Sequence, residues 1–239
     1  MEKQFKIDRK DALIIVDVQR DFCPGGALPV PEGDRVVPVL NEYIQIFRKV
    51  GAKIFATRDW HPPNHISFRE YGGIWPPHCI QGSKGAEFHP GLKLPEDVAI
   101  ISKAMDSSKE SYSGFDGTKL NDTLKKRGVK RIFVGGLATD YCVKNTVLDG
   151  LKLGFETILL SDATRGIDTR PGDVEEAIGE MIKKGARKAT LSELSESPEA
   201  PQEDQTTEKI EEKTLRQAEK RKKARLRTRG PYRKAHVED

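Results

Sequence analysis

Short runs of apolar and β-branched residues alternate along the chain with longer windows in which apolar positions recur every three to four residues. The short runs are ALIIVDV (12–18), KIFATRD (53–59), VAIISK (98–103), RIFVGG (131–136), ETILLSD (156–162) and a weaker RKAT (187–190). Helical windows fall near 35–50, 117–128, 140–153 and 171–184, and Gly51, Gly128, Gly154 and Gly185 each sit where such a helix should stop. This alternation is the pattern of βαβ units, and it predicts an α/β fold on a mostly parallel sheet. One stretch interrupts it. Residues 58–97 are too long and too rich in Pro, Gly and His for a simple connection, and loops of that length are functional or disordered. Two tryptophans and five histidine or cysteine positions inside it argue against disorder.

The composition changes after Leu194, where apolar residues almost vanish, so the chain divides into a domain over 1–194 and an extension over 195–239. The extension cannot bury a core of its own. Its charge is polarised, with seven acids and one base in 196–212 against eleven bases and one acid in 213–234. Good helix formers over 206–229, with Glu212/Arg216 and Glu219/Lys223 four apart, suit a flexible or partly helical, solvated tail. The basic half could also contact nucleic-acid phosphates without sequence preference, although only Tyr232 could stack on a base. Up to Ser195 the chain is nearly neutral, with 29 Lys and Arg against 27 Asp and Glu. No apolar stretch approaches the roughly 20 residues of a membrane span, and the N-terminus lacks a secretory apolar region. The expectation is a cytoplasmic protein without membrane contact. Three cysteines cannot all pair within one chain, and none has metal-type spacing, which fits a reducing compartment.

Ligands of open parallel sheets bind outside the carboxyl ends of the strands, so residues at those ends carry the functional signal. Successive strand ends here bring Asp17, Asp59, Lys103 and, through GGLATDY, Cys142. A thiol in a first helical turn feels the positive end of the helix dipole, and a neighbouring lysine favours thiolate further. Asp17 can then act as general base and acid, while the helix start offers backbone N–H groups to an oxyanion. Alone, such a cysteine is usually buried filler and such an aspartate a helix cap. Their occurrence together at one edge of a sheet is what points to chemistry.

A second constellation is Asp59-Trp-His61 followed by Trp75-Pro-Pro-His78. Residues i and i+2 of an extended segment face the same way, and the rigid WPPH turn can deliver His78 to the same point. One carboxylate and two imidazoles suit Zn²⁺, Fe²⁺ or Mn²⁺ with coordination positions left open. His65 and His89 read as hydrogen-bonding structural groups.

VDVQRDFCPGGALPV, TRDWHPPNHISF, WPPHCIQGSKGAEFHP, ISKAMDSSKESYSGFDGT and GGLATDYCVKNTVLDGLKLGF together resemble the nicotinamidase branch of the isochorismatase-like cysteine hydrolases, in order from about residue 11 to 190. The resemblance implies a three-layer α/β/α fold on a six-stranded, mainly parallel sheet, hydrolysis of nicotinamide to nicotinate and ammonia in NAD salvage, and one divalent metal ion, zinc first. It places the nucleophile on Cys142, the acid on Asp17 and the lysine on Lys103. The metal ligands fall on Asp59, His61 and His78, with Ser67 at a variable further position, acting through a water. Phe22 and Trp75 would sandwich the pyridine ring, and Tyr112 would line the same pocket. A cis peptide precedes Ala138, whose N–H joins that of Cys142 in the oxyanion hole. Self-association is plausible for such a family. Two alternatives stand beside this reading: another amidohydrolase of the superfamily, acting on carbamoyl or ureido substrates, and a nucleic-acid-associated protein acting through its basic tail.

Overall fold

The computed structural model describes residues 5–196, all within one unit of the chain, Met1–Ala200. Apart from its first two residues, the expected charged tail lies outside the described residues. Eight strands occur in this region: β1 (Phe5–Ile7), β2 (Asp11–Val16), β3 (Lys53–Asp59), β4 (Ala99–Lys103), β5 (Arg131–Leu137), β6 (Glu156–Arg165), β7 (Arg187–Ala189) and β8 (Leu194–Glu196). Four α-helices accompany them: α1 (Val36–Lys49), α2 (Leu120–Lys126), α3 (Lys144–Lys152) and α4 (Asp173–Lys183). The six strands expected from the apolar runs form one sheet in the order β4-β3-β2-β5-β6-β7, and every pairing in it is parallel.

β2 lies at the centre because both of its faces are apolar. Ala12, Ile14 and Val16 enter one core cluster, with Phe55, Leu120, Leu124, Ile132 and Val147, while Leu13 and Ile15 enter the other, with Leu40, Phe47 and Phe133. That continuous burial is what a strand covered by helices on both faces requires. Helix α1 covers the second face through Val36, Val37, Leu40, Tyr43, Ile44 and Phe47, which recur at helical spacing. Pro38 is tolerated because it falls in the first turn, where its missing N–H would have no intrahelical partner. The helix stops at Gly51, whose φ of 70° places it in the left-handed region and whose N–H donates to the Arg48 carbonyl at 3.0 Å.

Three local differences from the sequence expectation have physical causes. The helix expected from residue 140 begins at Lys144, because Thr139–Val143 form a wider π-helical turn in which the N–H groups of Tyr141 and Val143 both donate to the Ala138 carbonyl. The expected helix over 117–128 is shorter, Leu120–Lys126, since Gly117 is left-handed at φ 67°. β1 and β8, absent from the expectation, pair with each other in parallel as a separate two-stranded sheet, so regular structure crosses the expected boundary at residue 194.

The chain runs from β2 outward to β3 and β4, then returns to the other side of β2 for β5, β6 and β7. The strand order therefore reverses between β2 and β5, and a crevice opens at their carboxyl ends. The two strands approach closely there. A Cβ on Gly136 would stand 2.1 Å from the Val16 carbonyl oxygen, at a φ of 126° that disfavours any side chain. Exposed Gly179, inside α4, has nothing within 4 Å of the same position. Gly136→Ala is accordingly expected to cost about 2 kcal/mol of stability or more. Gly179→Ala should gain about 1 kcal/mol through helix propensity. Thermal denaturation of the two variants beside the parent chain checks both signs.

Candidate active site

β2, β3 and β4 each deliver one charged residue at the same edge of the sheet. Asp17 follows the last residue of β2, with its backbone turned into the left-handed region at φ 48°. Asp59 and Lys103 are the last residues of β3 and β4 and are register partners in the sheet. The Lys103 ammonium lies 3.0 Å from Asp17 Oδ2 and 2.5 Å from Asp59 Oδ1, and it donates to the Ser111 carbonyl at 3.2 Å. Cys142, carried in by the π-helical turn after β5, places its Sγ 3.4 Å from the same nitrogen. All four side chains are buried.

Their protonation follows from burial set against partners. Burial pulls the Lys103 pKa down, but Asp17 and Asp59 outweigh it and hold the ammonium well above its ordinary range. For Asp59, burial pushes the carboxyl up; the Lys103 charge outweighs it and keeps the group ionised. Burial raises Asp17 to about 6, with Lys103 opposing and the Asp59 charge adding to the rise. Cys142 is pushed well above the usual thiol range by burial, against the pull of Lys103. Burial thus favours the thiol, whereas the lysine and the helix start favour the thiolate. Desolvation opposes the helix dipole and acts most strongly on a charged sulfur enclosed this tightly.

The second constellation also assembles. One ligand atom each from Asp59, His61 and His78 lies within 4.8 Å of the others, and all three residues are buried. A parallel bridge between His61 and Ile80 ties the two halves of the long loop together. The Nδ1 atoms of His61 and His78 face the carbonyls of His78 and Pro76 at 3.1 and 2.8 Å, which leaves Nε2 of each ring as the candidate ligand. Burial lowers the His61 pKa to about 4, so the ring is neutral, as a metal ligand must be. These residues fit a divalent cation. Ser67 stands apart from this group: its hydroxyl lies 2.7 Å from Nδ1 of His65, whose Nε2 faces the Lys109 carbonyl, and it does not line the cavity described next.

Both constellations border one small cavity of about 30 Å³, room for one or two water molecules. Phe22, Trp75 and Tyr112 line it as expected, together with Ala138 and Cys142. Trp75 closes it over by donating its indole N–H to the Tyr112 hydroxyl at 3.0 Å, and Tyr141 packs edge-on against Trp75 with ring centroids 5.1 Å apart. The Leu137-Ala138 peptide is cis. Tyr141 and Val143 have committed their N–H groups to the Ala138 carbonyl.

Several contributors were not anticipated from sequence. Leu28, Glu110, Tyr141 and Ile167 also line the cavity. Gln19 is fully buried and clamps the Asp59 backbone, accepting its N–H at 2.8 Å and donating to its carbonyl at 2.8 Å. Thr57 donates its hydroxyl to Asp17 Oδ1 at 2.6 Å. The available signal was strand alternation: Thr57 lies two residues before Asp59 in β3 and so shares its face.

The model of the isochorismatase domain matches residues 11–193. The nicotinamidase of Escherichia coli (strain K12) is 40% identical over 203 residues, covering 76% of this chain and 95% of the relative. Among solved structures, the pyrazinamidase of Pyrococcus horikoshii in complex with zinc superposes with a TM-score of 0.73 at 57% identity, over 76% of this chain and 99% of that one. The PnC1 protein of L. infantum in complex with nicotinate superposes with a TM-score of 0.75 at 35% identity, over 81% and 100%. A match through nearly the whole described fold, over a sheet whose edge gathers a thiol, its charged partners and a metal-type ligand set, makes the chain a member of the isochorismatase-domain family.

Proposed function

We propose that the protein is a metal-dependent cysteine amidohydrolase that converts nicotinamide to nicotinate and ammonia, a step of NAD salvage. The observation that carries the reading is Lys103, which touches Asp17 and Cys142 on one side and Asp59 of the metal-type ligand set on the other. The nicotinamidase and pyrazinamidase names of the relatives and the nicotinate held by one of them support the same substrate class.

Asp59, His61 and His78 would hold the metal; zinc is the first candidate, since the P. horikoshii pyrazinamidase is in complex with zinc. When bound it supplies a Lewis acid that can hold the pyridine nitrogen. Phe22 and Trp75 flank the ring and Tyr112 fixes the Trp75 indole. Ser67, whose hydroxyl contacts His65, would reach the metal only through a water. In the first half-reaction the Cys142 thiol gives its proton to Asp17 as sulfur attacks the carboxamide carbon, and the carbonyl electrons move onto oxygen. The N–H groups of Ala138 and Cys142 receive that oxyanion. Asp17 then returns the proton to nitrogen as the C–N bond breaks, releasing ammonia and leaving a thioester on Cys142. Water attacks the thioester and gives one proton to Asp17; as the C–S bond breaks Asp17 passes that proton to sulfur, restoring the Cys142 thiol, and the nicotinic acid formed loses its remaining proton to solvent as nicotinate. Lys103 remains an ammonium throughout and stabilises the sulfur when it is negative.

The three described cysteines are all free, which supports a reducing, cytoplasmic setting. No helix among the described residues is long and apolar enough to cross a membrane. Phosphate contact by the basic half of the tail would show as a salt-dependent RNA affinity lost on truncation at Ser195.

Ammonia release from nicotinamide should be readily measured for the native protein, fall to background in Cys142→Ala, and be suppressed reversibly by chelation and restored by Zn²⁺. Metal-replete native protein that releases no ammonia would contradict the assignment. In Trp75→Ala, loss of one face of the ring clamp should raise KM about 5-fold or more, since an aromatic contact of this kind is worth about 1 kcal/mol beyond area burial. Steady-state kinetics on that variant would count against the clamp if KM stayed unchanged.

A further inference from the structure

Asp17 has two oxygens with different surroundings. Oδ1 accepts the Thr57 hydroxyl at 2.6 Å. Oδ2 accepts no hydrogen bond, although it is completely buried, and stands 3.0 Å from the Lys103 ammonium. Cys142 Sγ and an oxygen of Asp17 lie within 4.8 Å of each other. Because Asp17 follows the end of β2 in a left-handed turn, the ladder does not itself set the direction of its side chain.

The Thr57 hydroxyl is itself aimed by its surroundings. Threonine is stiff about χ1 because its β-carbon is branched. Its methyl is boxed in by the Gly114 backbone, where an added Cβ would stand 2.9 Å from Thr57 Cγ2. Gly114 is in turn held by its N–H, which donates to Thr146 Oγ1 at 2.9 Å. The Thr57 carbonyl accepts the Asp17 N–H at 3.2 Å, so backbone and side chain of one residue hold backbone and side chain of the other. Thr57 and Asp17 are both fully buried, which leaves bulk water no route to replace either contact.

We infer that Thr57 is a positioning residue for the hydrolysis, committing Oδ1 of Asp17 so that Oδ2 alone exchanges the proton with Cys142, the departing nitrogen and the attacking water. This rests on the nicotinamidase reading for its substrate. The Thr57 hydroxyl engages Oδ1 and so fixes the rotation of the carboxylate, which holds Oδ2, beside Lys103, as the oxygen without a hydroxyl contact. Without the hydroxyl, the carboxylate can rotate, and its two oxygens are no longer held in distinct surroundings. Ground-state binding of the pyridine ring involves neither residue.

The test compares Thr57→Val, which keeps the shape and removes the donor, with Thr57→Ser, which keeps the donor. Thr57→Val should lose about 10-fold or more in kcat, within the range that general acid–base catalysis contributes, while KM moves by less than about 2-fold. Thr57→Ser should recover most of the loss. A second readout needs no nicotinamide: the rate of iodoacetamide alkylation at Cys142, corrected with Cys142→Ala, should fall in Thr57→Val and recover in Thr57→Ser. An unchanged kcat and alkylation rate in Thr57→Val would overturn the inference, as would a loss that Thr57→Ser fails to recover. If the native protein leaves nicotinamide untouched, the nicotinamidase reading fails while the alkylation rates still decide the role of Thr57.

Discussion

The site is organised around one buried ammonium. Lys103 has a fully buried side chain in contact with two carboxylates, and a charge enclosed to that extent is tolerated only when paired. Asp17 and Asp59 supply the pairing from the two strand ends nearest to it, and Cys142 closes the remaining side. Two carboxylates against one ammonium leave this buried group of three with one negative charge. A divalent cation on Asp59, His61 and His78 meets that imbalance. The nucleophile and the metal ligands are thus one electrostatic unit, with Lys103 as the shared member.

The fold supplies this geometry at the point where the strand order reverses. β2 and β3 also brace each other reciprocally beyond the sheet ladder. Gln19, from the β2 side, clamps the backbone of Asp59, and Thr57, from β3, holds the side chain of Asp17. Each acidic residue is therefore fixed by the strand that does not carry it. Such bracing suits a site in which small displacements of a proton-transfer group are costly.

Much of this was legible in the sequence because it depends on local patterns. Apolar runs bounded by glycines located the six strands of the main sheet, and the residues closing those runs were the charged ones that converge. What the sequence hid depends on tertiary surroundings. FKI and LSE, at β1 and β8, are three residues long and carry no period, and they become strands only by meeting each other. Gln19 and Thr57 are ordinary polar residues until their partners 40 positions away are known. The protonation of Cys142 depends on how completely it is enclosed, which no spacing reveals. Ser67 lay in the right motif, but its hydroxyl is bonded to His65, itself read only as a structural histidine.

The central claim is that Lys103 is the charge shared by the two constellations, and Lys103→Met tests it through stability, without recourse to turnover. The variant keeps Gln19 and its clamp on Asp59, so the ligand set stays in place while two buried carboxylates lose their ammonium. The measurement is the rise in Tm on adding Zn²⁺ to metal-free protein, for the native chain and for Lys103→Met. The account predicts a lower metal-free Tm and a larger zinc-induced rise in the variant, because the cation then has more negative charge to neutralise. A rise equal to or smaller than that of the native chain would contradict the shared-charge account and leave two constellations that are merely adjacent.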